Sequence, residues 1–375
     1  MKIKAKAVLI VLFLSVSIML ASFGAQKAKW KGKIELENGV KVVKNPKKPI
    51  YGEDVFSLEE ELSIGEAEGR EEYMFSEVQS IAIDDEERIY VLDYKGNNVK
   101  IYDKNGEFIK KFGRQGQGPG EFNLPRTVII TNQNEILVQN MRSLAFFTME
   151  GDFKRSLAAA QGPFGLGPIN VDSDGNITSL CIVPEDENPR YELKKFDSEL
   201  NYLYSLGSSP TPNAIRDGFN PLFPVLRWNK INRNQIVCGY MKEYELKIFD
   251  AKGNLIRKIL KEYTPLKVTQ EDVDERLQGE ELPPQLKERM VIPKYHCPFR
   301  WMIADDESRI FVWTYERVTD GEGYYYDVFD AEGRYIVKVP LKSRPFLFKN
   351  SKLYTVEEDE EGFQYVKRYK VTWKY

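Results

Sequence analysis

Histidine is almost missing from this 375-residue chain, where His296 stands alone. One imidazole excludes multi-histidine zinc sites and HExxH-type hydrolysis. No GxSxG elbow is present, which removes the usual nucleophile of the α/β-hydrolases. Cysteine is nearly as scarce: Cys181, Cys238 and Cys297 are an odd, widely spaced set. Such a set is no disulfide framework and reads as buried thiols. A Cys297 nucleophile served by His296 is not expected, because sequence neighbours seldom face each other as a catalytic pair must. His296 reads instead as a structural imidazole. Positive charge is not in surplus either, the formal balance being −3. The first 48 residues carry 11 lysines against Glu35 and Glu37, so the remainder is strongly acidic and would repel nucleic acid.

Long apolar runs are limited to residues 7–21, which follow Lys2, Lys4 and Lys6 and precede the small residues of SFGA. Residues 1–25 therefore read as a signal peptide, or as an N-terminal anchor if uncleaved, since the run is short of the roughly 20 residues of a full span. No cysteine follows it to carry a lipid. The expected location is exported, periplasmic or associated with the cell envelope. Residues 26–54 form a Lys-rich lead with room for a hairpin, otherwise a solvated linker. Membrane contact is expected only through this N-terminal part, at about 1 kcal/mol per cation near anionic lipid.

What the chain does have is aromatic content, at 13%, with 21 Tyr and 21 Phe, which suits the pleated surfaces of sheets. It also has a repeat. The segment NNVKIYDKNGEFIKKFG, residues 97–113, recurs at 244–260 and 325–341, more loosely at 191–207, and weakly at 143–159. Each copy is an alternating strand, a turn and a second alternating strand, the mark of a hairpin. A further pair of β-rich runs lies upstream, clearest in SIAIDDEERIYVLDY at 80–94 and WMIADDESRIFVWTY at 301–315. Four strands recurring about every 45–50 residues signal propeller blades. The tail from residue 345 offers only three strands, and residues 55–65 supply the fourth. Closing the ring in this way leaves no open edge. The expectation is an all-β, six-bladed propeller of four-stranded antiparallel blades over 55–375, its last blade shared by both chain ends.

The glycine-rich stretch FGRQGQGPGEF, residues 112–122, fits neither GxGxxG nor GxxxxGK[ST], and it joins strand to strand. It reads as the crossing from one blade to the next, with Phe112 and Phe122 as plugs between them. Residues 81–125 carry Asp84, IYVLD at 89–93, YDKNG at 102–106 and this loop in order. In this they resemble the NHL repeat, and the whole chain looks like the exported six-bladed NHL-type propellers of bacteria. The resemblance implies the fold. Its members range from binding modules to lyases, and the amidating lyases that NHL propellers resemble have metal sites built from several histidines, from which this chain departs.

Residues 261–298 interrupt the repeat with a helical insertion. Thr269 and Asp272 resemble a capping box, Val273 and Leu277 share a stripe of a first helix, and Leu286 and Met290 share a face of a second. Such helices must leave the ring, either padding a blade or covering the channel. Carboxylates at 84–87, 172–175, 305–308 and 357–361 leave calcium possible, although no cofactor is expected and these positions read as solvated turns. On the face shared by the inter-blade joints, Arg114, Arg142 and Arg317, with Arg126 and Arg300 near the inner strands and Tyr94 and Tyr315, suit an anionic or sugar-like ligand. The leading expectation is a non-catalytic binding or scaffold propeller with a protein, peptide or glycan partner. The alternative is a metal-assisted lactonase or lyase with carboxylate ligands. Three or more Asp, Glu or Asn converging on the channel would favour the enzyme, and an Arg- and Tyr-lined mouth the binder.

Overall fold

An aspartate at the start of a turn, with glycine or another left-handed residue three positions later, shapes most hairpins of one face. Asp103 accepts the N–H groups of Asn105 and Glu107 at 2.8 and 2.9 Å, and Gly106 takes φ +86°. The same lock recurs at Asp84, Asp172, Asp250, Asp305 and Asp330. Glu87, Gly175, Gly253, Ser308 and Gly333 hold the positive φ. A carboxylate that accepts two backbone N–H groups fixes a three-residue hairpin with a bulge after it. Register shifts follow these turns, as at Ile101/Tyr102 and Phe329. Local chemistry thus sets where each pair of strands begins.

The computed structural model describes residues 29–158, 169–184, 189–232, 234–277, 282–319 and 321–375. The expected export segment, residues 1–25, lies outside them. Blade one consists of Val78–Ile83, Ile89–Asp93, Asn98–Tyr102 and Phe108–Phe112, from the inside outward. Blade two runs through Thr127–Ile130, Ile136–Gln139, Ser143–Phe147 and Phe153–Ala158, and blade three through Asn170–Val171, Ile177–Val183, Arg190–Phe196 and Tyr202–Pro210. Blade four is Leu226–Asn232, Gln235–Tyr240, Glu245–Phe249 and Leu255–Lys261; blade five is Trp301–Ala304, Ile310–Arg317, Tyr324–Phe329 and Tyr335–Leu341. Blade six takes Pro345–Lys349, Lys352–Glu358 and Gln364–Trp373 from the tail and Phe56–Ile64 from the front. The last two pair antiparallel, from Val366 opposite Ile64 to Trp373 opposite Phe56. The protein is therefore a six-bladed propeller closed by its two ends.

The core lies between blades. Phe122 is fully buried, with its ring 6.0 Å from Phe112 of blade one and 5.8 Å from Phe147 of blade two. Phe112 also lies 4.9 Å from Phe147. Gly113 holds φ +84°, and a Cβ there would meet the Phe122 ring at 2.3 Å. The glycine-rich loop is a structural crossing, as its sequence suggests. Between blades four and five, Asp327 accepts the Tyr244 hydroxyl at 2.6 Å and that of Tyr335 at 2.5 Å, and pairs with Lys261 at 3.2 Å. This buried carboxylate is fully partnered, which makes it a rivet rather than an orphan.

The lead is not a solvated linker. Lys33–Glu37 and Val40–Asn45 form a hairpin, and Val40–Asn45 pairs parallel with Leu255–Lys261 on the outer edge of blade four, making a six-stranded sheet. Ring closure leaves the outer edge of a blade free, and here the hairpin covers it. Val42 and Val43 are buried, while Lys41 and Lys44 pair with Glu332 and Glu35. Asn45 clamps two blades, donating to the carbonyls of Leu260 and Gly333 and accepting the N–H of Tyr335 at 2.8 Å. The chain then crosses blade five, where Ile50 and Tyr51 N–H groups donate to Tyr335 and Ile336.

Three outcomes follow from these contacts. Gly113→Ala, forced into a left-handed backbone against a buried ring, is expected to lower unfolding free energy by about 1–3 kcal/mol in urea titration; no loss would mean the crossing can relax. Asn45→Ala, which strands a buried N–H and a carbonyl, is expected to cost about 1–3 kcal/mol. A protein starting at residue 46 should aggregate in light scattering, because it bares a parallel sheet edge.

Candidate functional site

The inter-blade joints all deliver the chain to the start of an inner strand, so residues at that point ring the mouth of the channel. Arginine occupies or adjoins it in four blades, as Arg126, Arg227, Arg300 and Arg344. Arg227, Arg300 and Arg344, from blades four, five and six, meet in one cleft of about 290 Å³, walled also by Trp301, Trp313 and Tyr315. The guanidinium of Arg300 lies 4.3 Å from the Trp313 ring centre, 4.8 Å from Tyr324 and 5.2 Å from Tyr315. That of Arg227 is 5.2 Å, and that of Arg344 5.5 Å, from Trp301. Flat cations against aromatic faces are favourable by roughly 0.5–2 kcal/mol each, more when water is excluded.

Two of these cations lack a counter-ion among the described residues: neither Arg227 nor Arg344 pairs with a carboxylate. Arg227 Nε and Trp313 Nε1 are buried donors with no acceptor. Burial, with Arg276, Arg344 and Arg300 nearby, pulls Arg227 down to about 10, against the opposing effect of Tyr315. Such a group remains charged at neutral pH, but its desolvated charge is costly. A site so built favours an anion.

The insertion covers this cleft, deciding between padding and lid. Helix α2, Gln270–Leu277, follows the one-turn helix α1, Ala214–Asp217, which Asn213 caps and which the sequence reading missed. The expected capping box is present: the Thr269 N–H and hydroxyl donate to Asp272 Oδ2 at 2.8 and 2.6 Å. Val273 is fully buried. His296 bonds the same Asp272 oxygen at 2.9 Å and stacks on Tyr315 at 4.1 Å, pinning the helix to blade five. The second helix, α3, Pro284–Glu288, is only five residues with none buried. Met290 lies beyond it, bridged to Phe219, so the expected Leu286 and Met290 face does not form. Two prolines and a short run leave α3 without a packed stripe.

From α2, Glu275 reaches into the aromatic and cationic wall. It accepts the Tyr324 hydroxyl at 2.6 Å, pairs with Arg317 at 2.7 Å and touches Arg300 at 3.4 Å. Arg317 also meets Glu271 and Asp272. The structure thus brings together Arg300, Arg317 and Tyr315 of the residues singled out by sequence. Arg114 is exposed and paired with Glu121 inside its own loop. Arg142 is exposed in the hairpin of blade two, Tyr94 is half-buried in that of blade one, and Arg126 opens the inner strand of blade two; none of the four lines the cleft. Arg227 and Arg344 were missed. Their signal was positional: the strings PFRW, VLRW, LPRT and KSRP each put Arg at the entry to an inner strand.

The turn carboxylates considered for calcium are engaged elsewhere. Asp84, Asp172 and Asp305 lock their own turns and bind Arg88, Lys195 and Arg309, and Asp359 accepts two N–H groups of its own turn. Among the described residues no group of three or more His, Cys, Asp or Glu is placed to hold a metal ion. Burial pushes the Cys297 thiol up to about 11 and that of Cys238 up to about 12, which leaves both protonated and weakly nucleophilic at neutral pH. No helix of the described residues is long and apolar enough to cross a membrane.

Comparison with known proteins agrees on architecture. Residues 66–160 match a family described as 6-bladed beta-propeller. Protein brain tumor of Drosophila melanogaster is 28% identical over 144 residues, 37% of this chain but only 13% of that protein. An exported-protein candidate from Bacteroides fragilis superposes with a TM-score of 0.56 at 12% identity, covering 89% of this chain and all of the other. A Bacteroides vulgatus protein follows at 0.51 and 13%, covering 86% and all. At such identities the likeness is one of fold. It places the chain among six-bladed propellers, with a partial and distant kinship to an NHL-type relative.

The lid gives a pH-dependent expectation. Burial would raise the Asp272 carboxyl, but the Thr269 donors and His296 outweigh it and hold it at about 2. An unfolded aspartate titrates near 3.9, so the stabilisation is complete above about pH 4 and is lost as pH falls towards 2. Asp272→Asn is expected to weaken protection of amides in 269–277 by about 1 kcal/mol at pH 7, with the gap to wild type closing between about pH 4 and 2. A gap independent of pH would remove the carboxylate from this role.

Proposed function

We propose that this chain is an exported, non-catalytic binding or scaffold propeller that engages a protein, peptide or glycan partner at its channel mouth. The carrying observation is the lining of that mouth. Three arginines from three blades converge there with Trp301, Trp313 and Tyr315, and the carboxylates that reach it come from a lid helix rather than from the channel. Arginine and aromatic side chains at a concave site favour recognition of an anionic or polar surface. An exported location is supported by the lysines and apolar run of residues 1–25, and by the exported-protein candidate among the fold relatives.

Calorimetric titration with panels of acidic and neutral peptides and oligosaccharides tests this reading. At least one ligand is expected whose affinity falls about tenfold or more in Arg300→Gln, the loss of a charge-assisted contact. Binding that ignores the substitution would move the site away from the mouth. Sugar and aliphatic lactones, assayed with and without calcium, are expected to turn over no faster than in buffer. Turnover abolished by a chelator would establish the lactonase alternative instead.

A further inference from the structure

Within an acidic molecule, the mouth cleft concentrates Arg227, Arg276, Arg300, Arg317 and Arg344. Three acidic side chains of α2, Glu271, Asp272 and Glu275, answer Arg317, and Glu275 alone also meets Arg300. Beyond the reach of the lid carboxylates, Arg227 Nε and Trp313 Nε1 are buried and face no acceptor, and the more exposed Arg344 pairs with no carboxylate among the described residues. The protein's own lid shows what this wall accepts. Glu275 sits in a fork made of one hydroxyl and two guanidiniums, Arg317 at 2.7 Å and Arg300 at 3.4 Å, with aromatic faces around it. That is the environment of a bound carboxylate, supplied here by an acidic peptide segment of the same chain.

We infer that the cleft is a recognition site for an acidic peptide segment of a partner, and that Glu275 occupies it as an internal stand-in which such a segment displaces. The proposal rests on the binding reading above and names its ligand class. Displacement is physically easy. The Glu275 and Arg317 side chains are 39% and 43% exposed, and ion pairs so open to water contribute little. The helix itself need not leave, because Val273 is buried and Asp272 is held by His296. Only the Glu275 side chain has to turn aside. An incoming carboxylate then takes the Arg300, Arg317 and Tyr324 fork, and a neighbouring one reaches Arg344 and Arg227, which the lid leaves unanswered. An acidic peptide is favoured over an acidic sugar because an acidic helix already docks on this wall through the same groups. Charge complementarity between a cationic cleft and an anionic chain also speeds encounter and makes it sensitive to salt.

The test uses hexaglutamate as probe and oligogalacturonate of matched charge as the sugar arm, with the intact protein, its Glu275→Gln form and the double variant Glu275→Gln, Arg344→Gln. Glu275→Gln keeps the helix while removing the competing charge, and hexaglutamate is expected to bind it about two- to fivefold more tightly than wild type. Adding Arg344→Gln should cancel most of that gain; Arg344 is exposed, and an unchanged melting temperature shows that the fold is intact. The proposal is overturned by equal affinity of wild type and Glu275→Gln, by a gain that survives Arg344→Gln, or by tighter binding of oligogalacturonate than of hexaglutamate. Each of these differs from lactone turnover, which would strike the binding reading itself.

Discussion

Pairing of Phe56–Ile64 with Gln364–Trp373 joins residues some three hundred positions apart in one sheet, and the rest of the molecule is built around that seam. Blades hold each other through side chains on their faces, so a ring with one blade incomplete would expose two apolar interfaces at once. On one side, Val55 and the blade-six residues Phe348 and Leu353 pack with Phe311, Tyr326 and Val328 of blade five. On the other, Ile64, Tyr354 and Val366 pack with Val78, Ile81 and Ile89 of blade one. Burial of such surfaces is the dominant favourable contribution to folding. The ordering of so distant a pair costs loop-closure entropy that only the finished interfaces offset.

The circular arrangement of the blades creates the site. Arg227, Arg300 and Arg344 are far apart along the chain and belong to separate sheets, and they meet because every inner strand starts at the same end of a common channel. Blade six supplies one of the three, so the cleft needs blades four, five and six side by side. The N-terminal strap adds a second constraint from outside: Asn45 ties blade four to blade five, directly behind the pair of blades that form most of the cleft wall. Asp327 does the same from within. Two of the blades that carry the site are thus tied to each other from outside and from within, which suits a surface that keeps cationic groups at fixed spacing against their mutual repulsion.

Charge and desolvation explain why the mouth is built from arginine. A guanidinium is flat, weakly hydrated and able to lie on tryptophan and tyrosine faces while keeping its donors directed outward. Lysine in the same places would lose its charge more readily on burial. The lid reduces the electrostatic cost of the cluster by bringing Glu275 and Asp272 across it, and it does so with contacts that are mostly open to water. A partner able to offer more carboxylates than the lid would meet a surface already arranged for them.

Local signals read directly from sequence were those with a local physical cause. Asp103 with Gly106 marked a hairpin because the carboxylate and the positive φ both act within five residues, and Thr269 with Asp272 marked a helix start for the same reason. The shared last blade was legible because three strands of a four-strand unit cannot bury their faces, and the missing one had to be near residues 55–65. Arg300, Arg317 and Tyr315 were within reach because they flank a recognisable repeat. Arg227 and Arg344 were not, since nothing in VLRW or KSRP says that the two lie beside PFRW until the ring is closed. Nor could the lead be seen as an added strand, because VKVVKN alternates too little to name its partner, and pairing with Leu255–Lys261 is a contact across more than two hundred residues. The choice of lid over padding was likewise made by tertiary contacts, through Glu275 with Arg317 and Asp272 with His296. Sequence alone therefore determined the repeat, its turns and its closure, whose causes are short-range hydrogen bonds and period-two burial. Which arginines share a cleft, what covers it and which carboxylate already sits there were decided only when distant strands were brought to one channel mouth.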